Sequence, residues 1–360
     1  MSRWRTGLTV GVSVLAVALL LWLPTPKRSS TAGTTGPATL ASVWPGARTF
    51  PIAAVVPDGG LYTPALVLDP TASMGVVAST DGKRSDLAVV SATGAPRVLQ
   101  SQSLVVGGSF DGLAASTDRL YWMHTVNDAV GHATVSLWTA RRDGGPATQV
   151  TADVGAPVFY GSQYDVQVVG DRVIWAAGRP DQTELRSVPL AGGPVTVRVV
   201  PGSWALSAWP WLVTAPSASG QPPRLHNVDT GAEVTVRVPA NKQVSCSPVW
   251  CRMIPGNAEP TETELIRPDG SDRRLIGDAN AAAIASDVAL RDRFELLMTV
   301  ITTTGRLAVS RLDLYDIAGR RTVQAAAAAT NAGARGDYLW WSTGDNETLT
   351  WHGLDLRTLT

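Results

Sequence analysis

A short module recurs along this chain: an Asp, then apolar residues at alternating positions, usually ending on Trp. It reads Asp118-Arg-Leu-Tyr-Trp122, Asp171-Arg-Val-Ile-Trp175, Asp292-Arg-Phe-Glu-Leu296 and Asp337-Tyr-Leu-Trp-Trp341. Weaker copies stand at Ser73–Val77, Trp209–Val213 and Ser247–Cys251. The seven starting positions are spaced by 45, 53, 38, 38, 45 and 45 residues. A period in that range, with strand-type alternation inside each unit, is the signature of a β-propeller. The expected fold is all-β: a ring of seven four-stranded antiparallel blades, with six blades as the alternative because three copies are weak.

The segments between the modules fit that reading. Third strands are expected from Ser136, Leu185, Leu225, Leu265 and Leu312. Each is followed by a Gly-containing turn such as Asp269-Gly270, where Gly supplies the positive φ of a tight hairpin. Short β-rich segments follow, among them Ala147–Thr151, Val195–Val199 and Val234–Val238. The last unit stops after a third strand, Trp351–Leu356, and the segment Arg48–Val56 is expected to supply its missing fourth strand and close the ring. Two Ala-rich runs, 280–285 and 325–329, read locally as helix and are assigned to blade connections or inner strands.

Arg3 and Arg5 precede an uninterrupted apolar run, Gly7 to Leu23, which Pro24 ends. That length sits at the lower limit of a membrane span and above the usual signal-peptide core. The chain divides accordingly into a signal anchor or signal peptide at 1–23, a flexible Pro/Ser/Thr linker at 24–45 and a propeller at 46–360. An uncleaved anchor is favoured; cleavage gives a secreted module, and either outcome puts the propeller outside the cytoplasm. Cys246 and Cys251, separated by Ser-Pro-Val-Trp, are expected to bond across a hairpin in an oxidising compartment. Thirty basic and thirty acidic residues cancel, so no basic excess draws nucleic acid.

The units Arg267–Leu275, Leu314–Val323 and Arg141–Thr151 resemble the repeat of TolB-type, WD40-like propellers. The N-terminal anchor and the Cys246–Cys251 unit resemble exported TolB-like proteins of high-GC Gram-positive bacteria. TolB proper carries an additional N-terminal α/β domain, whereas only a short linker is expected before the propeller here, so a TolB-type partnership is not expected. The resemblance implies an extracytoplasmic binding platform rather than a reaction.

The sequence offers little chemistry. There is no G-x-S-x-G, P-loop, H-E-x-x-H or EF-hand loop. His124, Asp128 and His132 share one loop region and are the weak candidates for a metal. Glu259, Glu262 and Glu264 read as a solvated loop. The repeated Asp118, Asp171, Asp292 and Asp337 read as turn formers, because an active site is built once whereas a turn is reused in each blade. Trp122, Trp175 and Trp341 share one repeat position and read as packing between blades. Trp204, Trp209 and Trp211 depart from the repeat and are the candidate exposed aromatic patch. No catalytic residue and no cofactor is expected. The leading reading is a non-enzymatic scaffold binding an envelope protein or cell-wall component, with membrane contact through the N-terminal helix. The alternative is an exported hydrolase or lyase, which requires unrepeated acidic, His or Arg side chains to converge at one mouth of the central channel.

Overall fold

Each recurring module becomes the second strand of a four-stranded antiparallel sheet, and there are seven such sheets. This computed structural model describes residues 37–360, apart from 106, 129, 216–221, 240–241, 256–261, 278–280, 285–286, 305–306 and 346. The apolar run Gly7–Leu23 lies outside the described residues. Blade 1 spans 61–103, blade 2 108–151, blade 3 166–201, blade 4 204–235, blade 5 242–277 and blade 6 281–329. Blade 7 takes its first three strands from 331–355 and its fourth from Arg48–Ile52. Arg48 pairs with Asp355 and Ile52 with Trp351, so the ring is closed by the expected N-terminal strand.

The burial pattern explains why the modules are so apolar. A blade is covered on both faces by its neighbours, so its middle strands are buried almost continuously rather than on alternate residues. In Arg172–Arg179 the five residues from Val173 to Ala177 are all buried. The outer strand Thr196–Pro201 has one buried residue, Val200. Among the described residues the core divides into seven apolar clusters, one for each interface between successive blades. The smallest joins blades 4 and 5 through Val236, Cys251, Met253 and Ile266.

The repeated Asp sits at the turn between first and second strands. There the carbonyls of Asp118, Asp171 and Asp337 accept the backbone N–H of Arg142, Leu190 and Leu356 from the turn after the third strand. Trp122, Trp175 and Trp341 are buried in blade interfaces. The Ala-rich runs are strands: Ala281–Ala283 is the first strand of blade 6 and Arg321–Ala329 its fourth. Tertiary pairing overrides their local helix propensity.

Residues 38–45, expected to be linker, are attached to the ring. Gln324 donates its N–H to the carbonyl of Ala38, and a capped one-turn helix, Leu40–Val43, follows. Trp44 then packs edge-on to Phe294 with ring centres 5.8 Å apart. Residues 38–52 thus staple blade 6 to blade 7.

Cys246 and Cys251 face each other in register at the end of the first hairpin of blade 5 and form a disulfide. Closing so short a loop is worth about 2 kcal/mol by chain entropy. The effect should fall on the thinnest interface, because Cys251 is one of the four residues that make it. The Cys246→Ser/Cys251→Ser double variant is expected to lose about 2 kcal/mol in denaturant unfolding. It should also raise amide exchange in blades 4 and 5 before the other five.

Candidate functional site

The central feature of the ring is a break in its innermost layer. In blade 3, Pro157 pairs with Ala177, but the next rung pairs Val166 with Trp175. Nine positions along the inner strand therefore correspond to two along its neighbour. Residues 159–165 leave the sheet and enter the channel. In blade 6, three blades further round the ring, Ala283 pairs with Leu297 and Leu290 with Phe294, so seven positions correspond to three. Asp287 lies in that second excursion.

The two excursions meet. Ser162 donates its hydroxyl to Asp287 Oδ1 at 2.5 Å, and the Gln163 N–H reaches Asp287 Oδ2 at 3.0 Å. Gly336, at the turn after the first strand of blade 7, donates its N–H to Gln163 Oε1 at 2.7 Å. Below them Arg335 donates to the carbonyls of Leu113 in blade 2 at 2.6 Å and Ser162 at 3.4 Å. Gly112, with φ of +53°, makes the bulge that precedes Leu113, and a Cβ there would collide with Val166. Four blades thus contribute to one plug across the channel, on the side of the first-to-second-strand turns.

Charges hold the plug. Asp165 accepts the N–H groups of Tyr160 at 3.0 Å and Ser162 at 3.1 Å, both on Oδ2. Burial pushes its carboxyl up to about 6; the Tyr160 N–H bond and the Arg335 charge oppose this, while the Asp287 charge adds to it. Burial likewise lowers the pKa of Arg335, against the attraction of Asp287 and Asp165. Tyr164 is pushed up to about 12, by burial first and then by Asp287. Behind Asp287, Arg252 bonds the buried Glu295, whose other oxygen accepts the Ala289 N–H at 2.8 Å.

Beside the plug is a cavity of about 1010 Å³. Its floor is Tyr160, Ser162, Tyr164 and Asp287, and its walls are the inner strands of blades 4 and 5. It runs from Ser207 and Ser247, at the plugged end, to Pro223 and Pro239. It opens beside the blade interface whose apolar cluster is the smallest among the described residues. Lys242 lines it, tied at 3.1 Å to Glu264.

The residues singled out in the sequence lie elsewhere. His124 is buried, stacked on Phe110 with ring centres 4.9 Å apart, and bonded to Gln100 and Gln102. Asp128 caps its own loop through the N–H groups of Val130 and His132. The three metal candidates therefore do not converge, and among the described residues no group of His, Cys, Asp and Glu is arranged to hold a metal. Glu264 is not solvated: it is buried in the third strand of blade 5, between Lys242 and Arg273. Glu259 lies outside the described residues. Trp204 drops out of any exposed patch, since it is 2% exposed and its Nε1 donates to the Pro201 carbonyl at 2.7 Å. Trp209 and Trp211 are half-buried.

Asp165, Asp287 and Arg335 were not marked by the repeat, and two signals stood in the sequence. The spacing of 53 residues between Asp118 and Asp171 is the longest of the six, and the plug occupies part of the excess. Glu295 breaks the apolar module Asp292-Arg-Phe-Glu-Leu296 with a charge, which required a buried partner.

No protein-family model and no curated protein sequence matches the chain. Solved structures do. Prolyl oligopeptidase B from Galerina marginata is similar with a TM-score of 0.50 at 12% identity, over 79% of this chain and 43% of that one. A puromycin-hydrolyzing peptidase from Mycobacterium tuberculosis gives 0.49 at 15% identity, over 91% and 54%. Oligogalacturonate lyase from Vibrio parahaemolyticus gives 0.48 at 8% identity, over 86% and 97%. This chain spans less than half the length of the prolyl oligopeptidase. At such identities the likeness is one of fold.

Proposed function

We propose that this chain is a TolB-like, non-enzymatic binding module, held outside the cytoplasm by its N-terminal apolar segment. Its ligand, an envelope protein or cell-wall component, occupies the cavity between blades 4 and 5. The observation that carries this reading is how the channel carboxylates are used. Unrepeated ionisable groups do converge there, as a catalytic propeller requires. Yet Asp287 accepts from Ser162 and Gln163, and Asp165 accepts from two backbone N–H groups of the same loop. They hold a plug in shape. Among the described residues no His borders the cavity to serve as a base for Ser162. The convergence itself is what favours the alternative, an exported hydrolase or lyase.

The test uses the full chain in detergent as bait for envelope extract, beside a Ser245→Trp variant. Ser245 is an exposed cavity-lining residue, so Trp fills space without disturbing a core. The wild type should retain one component that excess free protein displaces. Ser245→Trp, with an unchanged melting temperature, should retain it at least tenfold less, the loss expected when a filled pocket excludes its ligand (~1.4 kcal/mol or more). Equal retention by both proteins rejects the cavity as the site. Turnover of an extract component that Asp287→Asn abolishes would establish the enzyme instead.

A further inference from the structure

We infer that residues 159–165 are a latch across the channel, and that it closes more tightly when the Asp165–Asp287–Arg335 cluster takes up a proton. The inference is independent of what the cavity binds. It starts from the register. Seven residues cannot be removed from an inner strand unless something else satisfies their backbone. Here the acceptors are Asp165 within the loop and Asp287 from blade 6. The loop is therefore held mainly by side-chain bonds, with Asp165 and Asp287 accepting its N–H groups and Arg335 donating to the Ser162 carbonyl, rather than by a ladder, and a change in the charge of this cluster alters its hold.

The charge balance gives the direction. Two carboxylates face one guanidinium in the plug. Of the other charges that reach it, Arg252 and Glu295 are paired with each other, and Asp292 adds a further negative charge that acts on Tyr164. The Tyr164 phenol is neutral across the physiological range. The cluster thus carries one uncompensated negative charge in a buried place, and one proton removes it. Both N–H bonds to Asp165 end on Oδ2, so a proton on Oδ1 leaves them in place. The closed loop loses a desolvated charge and keeps its hydrogen bonds.

The sign follows. The closed-state carboxyl of Asp165 titrates at about 6, above the roughly 3.9 of an exposed Asp in the open loop. Closure therefore gains fully from this group below the lower value and loses the gain as pH rises through the upper one. Between pH 5 and pH 8 the closing equilibrium should fall about tenfold.

Hydrogen–deuterium exchange of the full chain in detergent tests this, with rates corrected for the intrinsic effect of pH. Peptides covering 156–168 report the N–H groups of Tyr160, Ser162 and Gln163, and peptides from blade 2 serve as the reference. Protection of 156–168 should be about tenfold greater at pH 5 than at pH 8, while the blade 2 peptides do not change. Asp165→Asn should remove the dependence and stay protected at both values. Asp287→Asn, which leaves one carboxylate for one guanidinium, should reduce it. Equal protection of the wild type at both pH values overturns the inference. So does a dependence that survives in Asp165→Asn, or one shared equally by all blades.

Discussion

A chain that starts at Ala53 should fail to unfold cooperatively and should aggregate, whereas one that starts at Ala38 should melt in a single transition. The difference is the staple, residues 38–52. Removing it exposes Trp351–Asp355 as an unpaired edge, since those residues pair with Arg48–Ile52 in the ring. Leu40, Trp44 and Ile52 leave the cores between blades 6 and 7 and between blades 7 and 1. Three such side chains are worth roughly 1.5–3 kcal/mol each. With the lost ladder, that approaches the whole stability of a typical domain, about 5–15 kcal/mol. The edge contact of Phe50 with Tyr338, 5.9 Å between ring centres, is lost as well. Size-exclusion chromatography and thermal unfolding of the two chains decide the matter. A monomeric, cooperatively melting chain from Ala53 would mean that the closing strand is dispensable.

Trp175→Ala should cost about 3–5 kcal/mol and lower the melting temperature by roughly 5–15 °C. Trp175 is 0% exposed, between Tyr121 and Leu137 of blade 2 and Val173 and Val188 of its own blade. Its Nε1 donates to the Val154 carbonyl at 2.9 Å, in the segment that leads into the plug. Alanine leaves a cavity at one blade interface and an unpaired buried carbonyl at the same point. The control is Trp209→Ala. That side chain is half-buried, and its loss should cost at most about 2 kcal/mol. Urea unfolding of both variants measures the two costs. If they were equal, or if Trp175→Ala cost under 1 kcal/mol, the repeated Trp would not be the wedge between blades.

The blades were legible because each is specified locally. A middle strand buried on both faces has to be apolar along its length, and the turns around it need Asp and Gly. Those demands recur with the fold's own period, so the modules at 118, 171, 292 and 337 stand out. Even the weak copies at 73, 209 and 247 mark blades 1, 4 and 5. The Ala-rich runs misled locally, because alanine favours helix in isolation and the strand is imposed by pairing partners far away in sequence. The disulfide was legible from its spacing and hairpin.

The sequence by itself determined the architecture and the closing segment, since a repeat encodes its structure in every copy, and the structure decided for seven blades over six. Only the tertiary structure decided the site. Asp165, Asp287 and Arg335 are separated by 122 and 48 residues and belong to no repeat. Nothing local joins them; closure of the ring brings blades 3, 6 and 7 to one axis, where the carboxylates of Asp165 and Asp287 share the Arg335 charge. The cavity beside them arises the same way, at the interface whose apolar cluster is the smallest among the described residues.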